Sequence, residues 1–223
     1  MPWSAYALDN FIAPKLSLLN VCNAPDVPEL PNYYGSLVLN QALFTIYTDP
    51  VKVLLLNFIR RLRSAIGEYR SGREHLVQYV SKLPDQSGLG NYNKALAHFE
   101  DCIFNGHIAI VCLNGLGKHL RRSDPSVPAV YRHGDGSDYD RLRKLNNRIK
   151  HFDEDVEKAV TSGSSAIPLA PIWITNDGLE ASTGSLSFVE LAEILSTHSS
   201  DAKAFSEGFP AEAAARRKQQ QQP

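Results

Sequence analysis

The chain is short of cysteine: Cys22, Cys102 and Cys112 are its only three. An odd number argues against a disulfide framework, and the spacings fit no metal motif, so the thiols read as reduced and intracellular. Charge of one sign is also lacking. A net charge of -1 gives no global pull toward nucleic acid or membrane. No apolar run approaches the roughly 20 residues needed to cross a bilayer, so no membrane partner is expected. The opening MPWSAYALDNF has no basic stretch leading into an apolar one, and it is not read as a signal peptide. These absences together give the expectation of a cytoplasmic protein. No Gly-x-Ser-x-Gly occurs, which removes the nucleophile elbow of an α/β-hydrolase. Asn114-Gly115-Leu116-Gly117-Lys118 lacks the first glycine of a phosphate loop and has His119 where Ser or Thr belongs. It reads as a glycine-capped helix end. No cofactor is expected.

What is present is helical periodicity. Residues 3–20 carry apolar side chains at helical spacing, with Pro14 placed to split them. Residues 23–34, NAPDVPELPNYY, hold three prolines and read as loop. Residues 35–47 favour a helix over a strand. Thr48-Asp49-Pro50 marks a helix start, with proline where its missing N–H costs nothing. From there Leu55, Phe58, Ile59, Leu62, Ile66 and Tyr69 recur at steps of three and four, predicting a helix to about Lys82 that Ser71-Gly72 interrupts. A second long helix is predicted over 91–121 and a loop over 122–136. Then comes a third helix, 137–160, in which Ser137 and Asp140 resemble a capping box. Two strands around Asn176-Asp177-Gly178 predict a small β-hairpin, about 170–188. A last helix starts near Ser187, and 209–223 reads as a flexible low-complexity tail. The fold class expected is all-α: one domain over 1–208, an up-and-down bundle of four to five main helices with the hairpin as an appendage.

The 137–160 segment carries the most distinctive pattern. At 100° per residue, Leu142, Leu145, Ile149, Phe152, Val156 and Val160 fall within about 80°, so that stripe is expected to face the core. Lys144, Arg148, His151 and Asp155 gather within about 60° on the opposite side, with Asn147 close by. Charge is segregated as well. Lys118 to Lys150 holds nine Lys or Arg against four Asp, while His151 to Glu193 holds one Lys against eight Asp or Glu. Within a single helix that order opposes the helix dipole.

Two segments, NYNKALAHFEDCI (91–103) and LRKLNNRIKHFDED (142–155), resemble the HEPN superfamily of small helical-bundle proteins. In that family a late helix carries Arg, then four to six residues, then His. Here His151 matches the histidine and Lys144 stands at the outer limit of the spacing. Arg143 is one residue too far, and Arg148 only three away. The resemblance implies an α-helical bundle, often a homodimer, with Arg and His meeting at the dimer groove. It also implies members that cleave RNA without metal, in toxin or defence settings, and others that are catalytically silent.

Metal-free RNA cleavage needs a group of near-neutral pKa to move the 2′-hydroxyl proton, and a cation for the phosphorane. His151 suits the first role, with Arg148 and Lys144 for the second. Asn147 and Arg143 would bind substrate, and Glu100, Asp101 and Asp155 would support. A plainer reading makes the same stripe a solvated row of ion pairs with a surface histidine. The i,i+3 pairs His98/Asp101 and His151/Glu154 have metal-ligand spacing, but the additional inward glutamates of a di-metal bundle are missing, and no metal is expected. The alternative to an RNA-handling protein is a non-enzymatic bundle that dimerises or binds a partner protein.

Overall fold

The computed structural model describes residues 4–44, 48–83, 88–122, 125, 129–163 and 170–220, with side chains for all of these except 40–44 and 208–220. It is an all-α bundle with a small antiparallel sheet near the C-terminus. Helix α3 (Asp49–Ser81) starts after an extended Thr48, with Pro50 in its first turn. It pairs antiparallel with α4 (Leu89–Leu120). Leu55, Phe58, Ile59, Leu62, Ala65, Ile66, Tyr69 and Leu76 of α3 are all buried. Gly72 does not interrupt α3. It sits under the Phe99 ring of α4, where a Cβ would come within 3.2 Å of the ring. The glycine lets the helices approach, and the burial gained outweighs its weak helix propensity. Tyr69 and Phe99 meet edge to face 6.0 Å apart, and Tyr79 packs on Tyr92.

Pro14 splits the N-terminal segment as expected, into α1 (Ala5–Phe11) and a 3-10 turn over Leu16–Leu18. The three-proline stretch has no regular hydrogen bonding, but it is packed. Ala24, Val27 and Leu30 are buried at intervals of three. The stretch is a tripeptide repeat, Ala-Pro-Asp, Val-Pro-Glu, Leu-Pro-Asn, and a three-residue period is that of polyproline II. One face enters the core, and the polar face meets the arginines of α3. Glu29 pairs with Arg70 at 3.4 Å, Arg63 donates to the Asn32 side chain, and Arg73 donates to the Ala24 carbonyl. Helix α2 (Tyr33–Phe44) follows, confirming helix over strand there, and residues 45–47 lie outside the described residues.

The predicted hairpin is a three-stranded meander: β1 (Trp173–Ile174), β2 (Gly178–Ala181) and β3 (Gly184–Ser187). The middle strand, Gly-Leu-Glu-Ala, has little strand propensity and is a third strand beyond the two of the expected hairpin. It forms because Leu179 is buried between Ile174 and Leu186, its partners on either side. The Asn176 side chain anchors the N-terminal segment, accepting from the Asn20 and Val21 N–H groups. Helix α7 begins at Phe188 and continues to Gln220, through most of the stretch expected to be a flexible tail. Residues 221–223 lie outside the described residues. Phe188 packs on Phe99, and Phe205 on Phe58, which places α7 against the α3–α4 pair.

The third long helix is two helices, α5 (Asp138–Lys150) and α6 (Phe152–Thr161), broken at His151, whose φ of -108° and ψ of 19° leave the helical region. The break explains the charge order. Helix α5 has Asp138 and Asp140 in its first turn and Arg148 and Lys150 in its last. Helix α6 repeats the scheme with Asp153, Glu154 and Asp155, then Lys158. Each half therefore suits its own dipole. The apolar stripe is also divided. Leu142 and Leu145 are fully buried, but no residue of α6 is, and Val160 is 60% exposed. The expectation that the whole stripe faces the core fails beyond Ile149.

Candidate functional site

The fold gives Lys144, Arg148 and His151 of the expected stripe each an acidic partner within the chain. The Arg148 guanidinium pairs with Asp155 across the helix break. His151 is exposed, and its Nδ1 lies 2.9 Å from Glu154 Oε1. Lys144 Nζ lies 3.0 Å from Asp140 Oδ2. Asn147 is exposed, and among the described residues its side chain has no partner. Glu100 and Asp101 sit on α4. Among the described residues neither bonds to His151, and the imidazole is oriented by Glu154 alone. Burial, then the charge of Asp101, pushes the Glu100 carboxyl up to about 7.

The residue the local geometry turns on is Asp140, which is completely buried. Ser137 caps α5 by accepting from the Asp140 N–H at 3.3 Å. The Asp140 side chain does not close the capping box. It accepts instead from the Gly134 N–H at 2.9 Å, from Arg143 Nε at 3.2 Å and Nη2 at 2.8 Å, and it faces Lys144. Those contacts, the Gly134 N–H first, hold the carboxyl well below the usual carboxylate range. Gly134 and Gly136 take positive φ of 78° and 74°, which lets the 131–137 loop fold back onto the head of α5. Asp140 thus fixes two cations of the basic segment, Arg143 and Lys144, and pins the loop beside them.

That loop delivers groups the sequence reading passed over. Tyr131 is buried, with its ring stacked on His133 at 5.4 Å and 14°. Its hydroxyl lies 3.3 Å from His133 Nε2. His107 comes from the middle of α4 and is partly buried. Burial, then the charges of Arg143, His133 and Lys150, depress its pKa below the usual 6.5. The charges that act on His107 are therefore those of Arg143 and Lys150 on α5 and of His133 in the loop. His151 and Arg148 are not among them: both are held by acids of α6. The only sequence signal for this arrangement was the excess of Lys and Arg between 118 and 150. His107 had no local context, since its neighbours arrive through α4–α5 packing and the loop.

Other candidates resolve as packing. Cys102 is fully buried, and desolvation raises its thiol pKa, as it does for Cys22 and Cys112, so all three remain protonated thiols. His98 Nδ1–H donates to Glu68 Oε2 at 2.7 Å, and the ring stacks on His75, in the seam between α3 and α4. Among the described residues no set of three His, Cys, Asp or Glu side chains is placed to hold a metal ion. A cavity of about 520 Å³ lies between α3 and the proline-rich stretch, lined by Arg63, Arg70, Arg73, Asp26 and Glu29, and none of the expected site residues reaches it. Helix α4 is long and apolar enough by composition to cross a membrane, but it is the core helix of the bundle, with Tyr92, Phe99, Ile103 and Ile110 buried. No family model, curated protein or solved structure matches this chain.

Proposed function

We propose that this protein is a HEPN-like RNA-binding protein that engages the phosphate backbone through the head of α5. The observation that carries the reading is Asp140. A fully buried carboxylate is costly unless it is paired and hydrogen-bonded. Here it fixes Arg143 and Lys144 side by side at the head of α5. Arg143 has a side chain only 20% exposed, so its guanidinium is pre-oriented rather than free. Lys150 adds a further cation with no acidic partner among the described residues. Such an array suits the phosphates of a single strand, because cations held in register lose little entropy when they bind.

The test is salt-dependent binding of a single-stranded RNA by fluorescence anisotropy, comparing wild type with the double variant Lys144→Gln, Lys150→Gln. Lys150 is exposed, and without the Lys144 charge Asp140 keeps Arg143 and the Gly134 N–H; circular dichroism checks that the fold is retained. Loss of two phosphate contacts lowers the slope of log K against log salt by roughly 1.4. Equal slopes for the two proteins would remove this face from RNA binding.

A second reading, a non-enzymatic bundle that pairs with its own copy, is favoured by α6. Phe152, Val156 and Val160 form an apolar side that enters no core in the single chain. Sedimentation equilibrium of wild type and Val160→Glu decides it: a dimer weakened by the charge supports the reading, and a monomeric wild type removes it.

A further inference from the structure

We propose that the groove between α3 and the proline-rich stretch binds a short peptide with free ends, its carboxylate toward Arg63 and its ammonium group toward Asp26. The stretch runs antiparallel to α3 and is tied to it at three heights. Arg63 donates to Asn32 at 3.2 Å, Arg70 pairs with Glu29 at 3.4 Å, and Arg73 donates to the Ala24 carbonyl at 2.8 Å. About 520 Å³ stays open between the two segments, a volume in the range of small-ligand sites. The ties leave charge uncommitted. Arg63 and Arg73 are held by neutral acceptors, so neither guanidinium is neutralised by its tie. Asp26 lines the same groove, and among the described residues its carboxylate has no hydrogen bond or ion pair. Glu29 is taken by Arg70, and Glu74 accepts from Gln78 at 3.3 Å.

The choice of ligand follows from how these charges are sorted. Every guanidinium comes from the α3 wall, while Asp26 and Glu29 come from the facing stretch. A simple anion would meet carboxylates as well as arginines, and a simple cation the reverse. A molecule with both charges satisfies both walls, and a carboxylate is the group that a guanidinium holds with two parallel hydrogen bonds. The scale is that of a tripeptide: the seven-residue step from Arg63 to Arg70 rises about 10 Å, and three extended residues span about the same. Gly67 lies in the middle of that step, inside a long helix where glycine costs stability. Packing does not require it. A Cβ at Gly67 would meet nothing within 4 Å, whereas one at Gly72 would press on Phe99. Its effect is to keep the floor of the groove bare, so that a ligand can lie against the helix backbone.

The experiment titrates the full chain, labelled with nitrogen-15, with triglycine and follows chemical shifts by NMR. Triglycine is expected to move the Gly67 amide and the Arg63 Nε–H along one saturable curve. Gly67→Leu, which fills the floor, and Arg63→Gln, which removes the charge, are each expected to weaken binding by about 10-fold or more. Both positions are exposed, and the spectrum of each variant reports its fold directly. N-acetyltriglycine lacks the ammonium group and triglycine amide lacks the carboxylate, and each is expected to bind about 10-fold more weakly than triglycine. Asp26→Asn should remove the difference between triglycine and its acetyl derivative. Absence of any saturable shift overturns the proposal. So does undiminished binding to Gly67→Leu, which would put the peptide elsewhere. Equal affinity for triglycine and N-acetyltriglycine also overturns it, by showing a plain anion site.

Discussion

Replacing Glu100 by glutamine should stabilise the protein at pH 8 and do so much less at pH 4. Glu100 lies on α4, partly buried, and among the described residues no cation or hydrogen-bond donor meets its carboxylate. Burial, then the Asp101 charge, raises its pKa from the usual 4.5 to about 7. Between those values the folded protein holds a proton that the unfolded chain has released. Stability conferred by the protonated form is therefore full below about 4.5, falls as pH rises through that window, and is lost above about 7. Each tenfold in proton affinity is about 1.4 kcal/mol, which sets a ceiling of about 3 kcal/mol. Solvent contact at the carboxyl screens part of this, leaving about 1–2 kcal/mol. Glutamine is the same shape and never ionises, so it removes the cost. Urea unfolding of both proteins at the two pH values measures the difference of differences. An equal effect of the substitution at both would refute the reasoning, because it would show that Glu100 is solvated enough to ionise at no cost.

Gly67→Ala is expected to raise stability by about 0.5–1 kcal/mol in urea unfolding, since the new Cβ meets nothing within 4 Å and a mid-helix glycine is replaced by the best helix former. Asn176→Ala should cost about 1–3 kcal/mol, because the Asn20 and Val21 N–H groups lose their acceptor and the Leu18 carbonyl its donor. Hydrogen exchange in that variant should accelerate over residues 18–23 before it does in α3. Uniform acceleration would show that the segment is held by its buried apolar residues alone.

The elements that repeat a strong local signal were legible, and those set by a single tertiary contact were not. Pro50 announces α3 and the apolar spacing carries it to Ser81, but Gly72 reads as a break until Phe99 is found above it. The proline-rich stretch reads as loop because helical and strand periods are absent; its period of three, Ala24, Val27, Leu30, was visible all along. The break at His151 was also written in the sequence, as a second acidic first turn in Asp153-Glu154-Asp155. It was masked because the apolar stripe runs on through Phe152, Val156 and Val160 without a change of phase.

The candidate site illustrates the limit in physical terms. A helix face is a local property, so Lys144, Arg148, His151 and Asp155 could be grouped from spacing alone. What spacing does not carry is which charges neutralise one another once the chain bends. Breaking the helix at His151 lets Asp155 reach Arg148, and a cation whose partner is already at hand contributes less to binding an outside anion. The basic groups left available are those whose acid is buried beneath them. Asp140 takes up part of the donor capacity of Arg143 and Lys144 while holding both beside it, and it pins the loop that carries His133. From sequence Asp140 therefore has only the signature of a capping residue, because its role depends on one backbone N–H, that of Gly134, reaching it from a loop with two glycines at positive φ.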